Sequence, residues 1–199
     1  QNLVSSEEEL QALSAIYEEG VFPNFANEDE MLAFLSEKTP KYFPEISPVN
    51  YVVRKVDETM SDASSPAFYF IPQVDFNNDY QQYIYVNGDF DNKNYTTYAH
   101  EAFPGHMYQF NYFQTLNMHP IRQIYTSSAN AEGWANYIEQ YAQLMISTDE
   151  TQHAFDTAYN NLMQILHVEM DIGINYDGWD LEMFNEYLLL NFGIEDQSV

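Results

Sequence analysis

Apolar residues recur along this chain at two different periods, and the change of period marks out its elements. In "YVVRKV" (51–56), "AFYFIPQV" (67–74) and "YQQYIYVN" (80–87) aromatic and β-branched residues crowd together, which predicts three strands. A polar turn follows in "NGDFDNKN" (87–94), and from there apolar positions recur at three and four. That spacing predicts helices near 95–117, 129–146, 151–173 and 180–191. Two helices lead in. Ser5 and Ser6 before Glu7, Glu8 and Glu9 form a helix start, with Gly20 as the stop after Glu19. Asn27 heads the second, with Glu30 three residues on as in a capping box, and it ends near Lys38. Thr39-Pro40, Pro44 and Pro48 then break the chain into an irregular connector. The fold class expected is α+β and mainly α-helical, a small antiparallel sheet followed by packed helices. We read one domain over 1–199: a lead-in and connector (1–50), strands (51–94) and a helical region (95–191).

Composition narrows the function classes. A chain of 199 residues is long enough for one sizeable core. No apolar run reaches the roughly 18–20 residues that cross a bilayer, so no membrane insertion by this segment is expected. The first residue is Gln1, and the sequence reads as a mature or excised piece of a longer chain. With no cysteine, disulfides, thiolate metal sites and a cysteine nucleophile are excluded. Six basic residues against 31 acidic ones give a formal net charge of −25. Such a surface repels phosphate backbones and anionic membranes, so nucleic acid is not an expected partner.

The candidate chemistry lies in "HEAFPGH", His100 to His106. The familiar zinc-peptidase signature H-E-x-x-H sets its histidines four apart on one helical face. On a regular helix a spacing of six turns the second side chain about 240° away from the first. Pro104 lacks an N–H and crowds the carbonyl four residues back, and Gly105 reaches backbone conformations closed to other residues. Together they allow a break or bulge of two residues that returns His106 to the side of His100. Two imidazoles facing one point suit Zn²⁺, one per chain, with a third protein ligand and an open position for water. Glu101, beside the first ligand, is placed to take a proton from that water. The third ligand is sought in "AEGWANYIEQY" (131–141), where Glu132 opens a helix and is preferred. Glu139, seven residues on, shares its face and would orient a ligand from behind or serve as an alternate carboxylate. Against this stands the plain reading of one histidine-glutamate pair in an acid-rich chain with five histidines. His167, in mid-helix, reads first as a satisfied core residue.

Four segments in order, "SSPAFYFIPQVD" (64–75), "AHEAFPGHMYQ" (99–109), "EGWANYIEQY" (132–141) and "DIGINYDGW" (171–179), resemble a bacterial family of zinc-peptidase-like proteins, domain of unknown function 885 (DUF885). The resemblance implies a zincin-like, gluzincin-type fold, with His100, His106 and Glu132 as metal ligands and Glu101 as general base. It implies a peptide substrate, with the "YIYVN" strand edging the cleft and pairing with the peptide backbone. Many members of the family are exported or lipid-anchored, which points to a bacterial envelope or extracellular location. Where many relatives carry histidine, this chain has Asn175, so stabilising a transition-state oxyanion would fall to Asn175, to Tyr176 beside it or to His167. The leading expectation is metal-dependent hydrolysis of a peptide bond. The alternative is a non-catalytic, envelope-associated binding module on a degenerate peptidase fold.

Overall fold

Asn27 sits in an extended conformation and its side chain accepts the N–H of Glu30, which sets the start of helix α1 (Glu28–Lys38). Glu30 reaches back to the N–H of Ala26, so the capping box is shifted by one residue from its usual form. Met31, Leu32 and Leu35 bury one face of this helix completely. The Thr39 hydroxyl then donates to the Leu35 carbonyl, and a 3₁₀ turn over Thr39–Lys41, containing Pro40, ends the helix. In the computed structural model residues 24–72, 80–116, 118–119, 121–124, 127–146 and 150–193 are described. The helix expected over 5–19 lies outside them.

Strands β1 (Tyr51–Lys55), β2 (Ala67–Phe70) and β3 (Gln82–Val86) form one sheet in the order β1-β3-β2. Its pairing corrects the antiparallel expectation. β3 runs antiparallel to β2 but parallel to β1, with Tyr51 opposite Gln82 and Lys55 opposite Val86. The reason is the connection: residues 56–81 include a 3₁₀ turn (Glu58–Ala63) and β2 itself, enough chain to bring β3 alongside β1 in the same direction. A second correction follows. "YIYVN" falls largely in β3, the central strand, whose two edges are both used. The edge beside the helices belongs to β2, and Glu101 takes its Tyr69 N–H.

Alternation along the strands separates two faces. Ala67, Tyr69, Gln82, Ile84 and Val86 point into the core, while Phe68 stacks on Tyr85 at 5.1 Å on the other face. Gln82 is buried yet satisfied. Its amide exchanges two hydrogen bonds with Asn111, at 2.9 and 3.0 Å, and its oxygen also accepts the Tyr69 hydroxyl. A buried polar group of this kind costs little only when every partner is present. The network therefore fixes the distance between the sheet and the helix that carries Asn111.

The helical stretch predicted over 95–117 is two helices, α2 (Tyr95–Glu101) and α3 (His106–Thr115), joined by residues 102–105. A short α4 (Ile121–Ile124) precedes α5 (Ser128–Gln143). α2 packs on α5 through small residues, with Ala99, Ala102, Ala135 and Ala142 all fully buried. The Tyr95 hydroxyl crosses this interface to the Ala142 carbonyl at 3.1 Å. The core draws on α1, the sheet, α2, α3 and α5 together.

The chain folds as two compact units, Gln1–Asp149 and Glu150–Val199. The second holds α6 (Glu150–Ile172), a π-helical turn (Gly173–Asp177) and α7 (Leu181–Phe192). Gly173 is required there, since an added Cβ would lie 2.3 Å from the Trp179 ring. Asp180 caps α7 by accepting the N–H of Met183. No described helix is long and apolar enough to cross a membrane.

One ion pair ties α1 to the sheet: the Lys55 ammonium donates to Glu28 and to the Gly88 carbonyl. Burial acts to raise the Glu28 pKa, but the Lys55 bond and charge and a backbone N–H outweigh it and hold the pKa below the ordinary 4.5. A depressed carboxylate contributes stability that is complete above its unfolded pKa and is lost as pH falls through its folded one. Lys55→Met should therefore be less stable than the wild type at neutral pH, with the gap closing as the pH drops below about 4.5. Urea unfolding across that range reads the gap directly, and a gap independent of pH would show that the ion pair is not its cause.

Candidate metal centre

The backbone between α2 and α3 answers the spacing problem. A continuous helix bonds each N–H to the carbonyl four residues back. Here the Gly105 N–H reaches Ala99 at 3.0 Å and the Tyr108 N–H reaches Ala102 at 3.0 Å, each six residues back. Two residues have been inserted into the turn, and α3 resumes with His106. Gly105 is needed for the close approach rather than for a left-handed conformation. A Cβ there would stand 1.8 Å from the His100 carbonyl oxygen and 2.4 Å from that of Ala99. Pro104 is buried beside it, following a cis peptide bond, and its carbonyl accepts the Trp134 indole N–H at 2.9 Å. α5 thus pins the turn through the same segment that supplies the third acid.

The two imidazoles now meet edge to face, their ring centres 4.7 Å apart. Glu132 faces both: one carboxylate oxygen lies 3.5 Å from His100 Nε2 and the other 3.6 Å from His106 Nε2. The three candidate ligand atoms all fall within 4.8 Å of one another. Tetrahedral zinc with bonds of about 2.0–2.2 Å sets its ligand atoms roughly 3.3–3.5 Å apart. Each imidazole lies near that value from one of the two Glu132 oxygens, and the donor set of two imidazoles and one carboxylate is one that zinc accepts. The residues fit the ion.

Glu139, one helical repeat beyond Glu132 on α5, accepts or shares a proton with His100 Nδ1 at 2.6 Å. This leaves His100 Nε2 turned toward His106 and Glu132, the arrangement in which a carboxylate behind the ring fixes its orientation and raises its basicity. Glu101 turns the other way from the α2 terminus. One of its oxygens accepts the backbone N–H of Tyr69 in β2 at 2.8 Å, while the other lies 3.8 Å from His100 Nε2.

Charges in this cluster act mainly on one another. Burial acts to lower the His100 pKa, yet the Glu139 bond and the charges of Glu101, Glu139 and Glu132 raise it overall. Burial, together with His100, lowers the pKa of His106 against the pull of Glu132. His106 is thereby favoured as the neutral imidazole that a metal needs. Burial chiefly raises the Glu101 pKa, with the neighbouring acids adding to it and the Tyr69 N–H and His100 opposing. Three carboxylates around two neutral imidazoles carry a charge that a divalent cation would largely balance.

The chain matches, over residues 25–199, the sequence profile of a family described as a bacterial protein of unknown function, DUF885. It belongs to this family. No curated protein matches it. Among solved structures, the crystal structure of a "putative lipoprotein" from Colwellia psychrerythraea is similar, with a TM-score of 0.61 and 21% identity. The similarity covers 95% of this chain and 31% of that one, so the DUF885 chain spans about a third of its solved neighbour. At this identity the likeness concerns the fold.

His100, Glu101, His106, Glu132 and Glu139 of this DUF885 chain are all brought together in the first unit. The other expected residues lie in the second, where each is described by itself. His167 is exposed rather than in a core, because its position on α6 faces outward, and its Nδ1 lies 2.8 Å from the Met163 carbonyl oxygen. Asn175 and Tyr176 fall in the π-helical turn; the Asn175 amide donates to Asp171, and Tyr176 is 87% exposed. Two contributors escaped sequence reasoning. Trp134 was visible only as part of "EGW", and the Tyr69 N–H is a backbone group that no residue type announces.

Two substitutions test the geometry. Gly105→Ala should abolish zinc retention, whereas Gly133→Ala, with open space around its Cβ position, should leave it unchanged. Glu139→Gln should weaken zinc affinity by about 10–100-fold without unfolding the chain. Competition with a chromogenic chelator, alongside circular dichroism, measures both effects.

Proposed function

We propose that this DUF885 chain carries the metal centre of a zinc-dependent peptidase. The observation that supports it most is the convergence of His100 Nε2, His106 Nε2 and Glu132, with Glu139 behind His100 and a partly buried Glu101 alongside. A structural acidic surface has no need of such a set. The groups are partly buried except Glu132, whose side chain is 57% exposed and leaves the cluster open to solvent on that side.

The Zn²⁺ that His100, His106 and Glu132 would hold supplies Lewis acidity, polarising a carbonyl and lowering the pKa of water toward about 7. The remaining work falls to this chain's own groups. Glu101 takes a proton from the attacking water as the new C–O bond forms at the peptide carbonyl. As the C–N bond breaks, the same carboxyl returns that proton to the leaving amine, giving one carboxylate and one amine product. Its raised pKa suits a group that holds and releases a proton. The Tyr69 N–H keeps one of its oxygens occupied, so the other is the one directed to the cluster.

In the antiparallel pair, Asn87 donates to Pro66, so the backbone groups of Phe68 and Phe70 point toward β3 and those of Ala67 and Tyr69 point away from it, where Glu101 takes the Tyr69 N–H. The lipoprotein description of the Colwellia psychrerythraea protein supports a bacterial envelope location for this chain as well.

In the full-length protein Glu101→Gln should retain about one zinc per chain and lose peptide turnover by at least about a hundredfold. His106→Ala should lose both metal and turnover. Metal content by atomic emission and cleavage of a mixed peptide pool by mass spectrometry give the two readouts. Unchanged turnover in Glu101→Gln removes it as general base; zinc bound without turnover in the wild type favours a binding module.

A further inference from the structure

Between the sheet and α3 the core holds three polar side chains where an apolar set would pack as well. Tyr69, Gln82 and Asn111 are all buried. Tyr69 lies opposite Ile84 in the β2–β3 pair, so Gln82 is its diagonal neighbour on the core face. Their hydrogen bonds have one consistent polarity. A carbonyl only accepts, so Asn111 presents its NH₂ to the Met107 carbonyl, at 2.7 Å, and its oxygen to Gln82. Gln82 gives its own NH₂ to that oxygen, which leaves the Gln82 oxygen to accept from Asn111 and from the Tyr69 hydroxyl. Each end of this chain of bonds reaches a different side of the candidate centre. At one end the Tyr69 backbone N–H holds a Glu101 oxygen at 2.8 Å. At the other, the Met107 carbonyl belongs to the first turn of α3, one residue beyond His106. Bonds of fixed length therefore lie along the path from Glu101 to His106. Apolar groups filling the same volume would give similar stability but a less sharply defined spacing.

We propose that Tyr69, Gln82 and Asn111 are positioning residues, a strut that sets Glu101 relative to His106. What Glu101 then does rests on the peptidase reading; the strut itself is a matter of geometry. A base displaced by about 1 Å loses up to about a hundredfold in rate. Metal affinity and substrate binding use other groups, so the loss falls on kcat alone.

The test compares the zinc-loaded, full-length wild type with two variants. Tyr69→Phe deletes one hydroxyl and leaves both amides paired. Tyr69→Phe/Gln82→Met/Asn111→Leu replaces the whole set by apolar groups of similar size, which keeps the cost in stability small. Leu32→Met, an equally buried change in α1, controls for repacking. Both strut variants should keep their zinc and their KM, while kcat falls several-fold in the first and about 10–100-fold in the second. Amide exchange, read residue by residue by mass spectrometry, should quicken at position 69 by at least about tenfold. It should hold at Phe68 and Phe70, whose N–H groups face β3. Leu32→Met should match the wild type throughout. Wild-type exchange at position 69 in Tyr69→Phe overturns the proposal, whether or not the triple variant folds. So does a fall in kcat that follows zinc loss, or one that Leu32→Met shares. Quickened exchange at position 69 with no cleavage by the wild type would sink the peptidase reading alone. Cleavage by the wild type with kcat unchanged in both variants would sink the strut alone.

Discussion

The close approach of Gly105 to the carbonyls of Ala99 and His100 is the constraint on which the candidate centre depends. No side chain fits there, and only because none is present does the chain insert two residues into a helical turn and resume. The insertion converts a spacing of six into the angular equivalent of four. Both imidazoles then face each other, one at the end of α2 and one at the start of α3. Trp134, donating to the Pro104 carbonyl, holds this turn from α5, and α5 carries Glu132 two residues earlier. A single local device thus links the three candidate ligands.

Around that turn the packing is arranged by small residues and by one polar network. Ala99 and Ala102 against Ala135 and Ala142 let α2 and α5 lie close, which brings Glu132 and Glu139 within reach of His100 from a different helix. The Gln82–Asn111–Tyr69 network holds β2 against α3, and β2 in turn holds Glu101 through a main-chain bond. Loss of either support would shift a site group without touching the site. The fold and the chemistry are therefore coupled through backbone positions more than through direct side-chain contacts in the core.

The electrostatics follow from the same closeness. Each acid in the cluster raises the proton affinity of its neighbours, and burial opposes charge on the imidazoles, so the two histidines are driven in opposite directions. A divalent cation held there would relieve both tensions, since it would offset the carboxylate charge and needs the imidazoles neutral.

Much of this was legible in the residues themselves. The Asn27 cap, the helix stop at Thr39-Pro40, the three strands and the long helices follow from local chemistry, which acts over a few residues and survives whatever the rest of the chain does. The proline-glycine interruption likewise announced that His106 could rejoin His100, and the seven-residue offset of Glu132 and Glu139 put both acids on one face. Pairing was different. That β3 lies in the middle, parallel to β1 and antiparallel to β2, depends on which strand edges meet in the folded chain, and strand patterns do not carry that direction. The hold of β2 on Glu101, the Trp134 bond to Pro104 and the outward placement of His167 on α6 were decided only by tertiary structure. Each relies on a backbone group or a face chosen by packing, and those are properties that residue type alone does not encode.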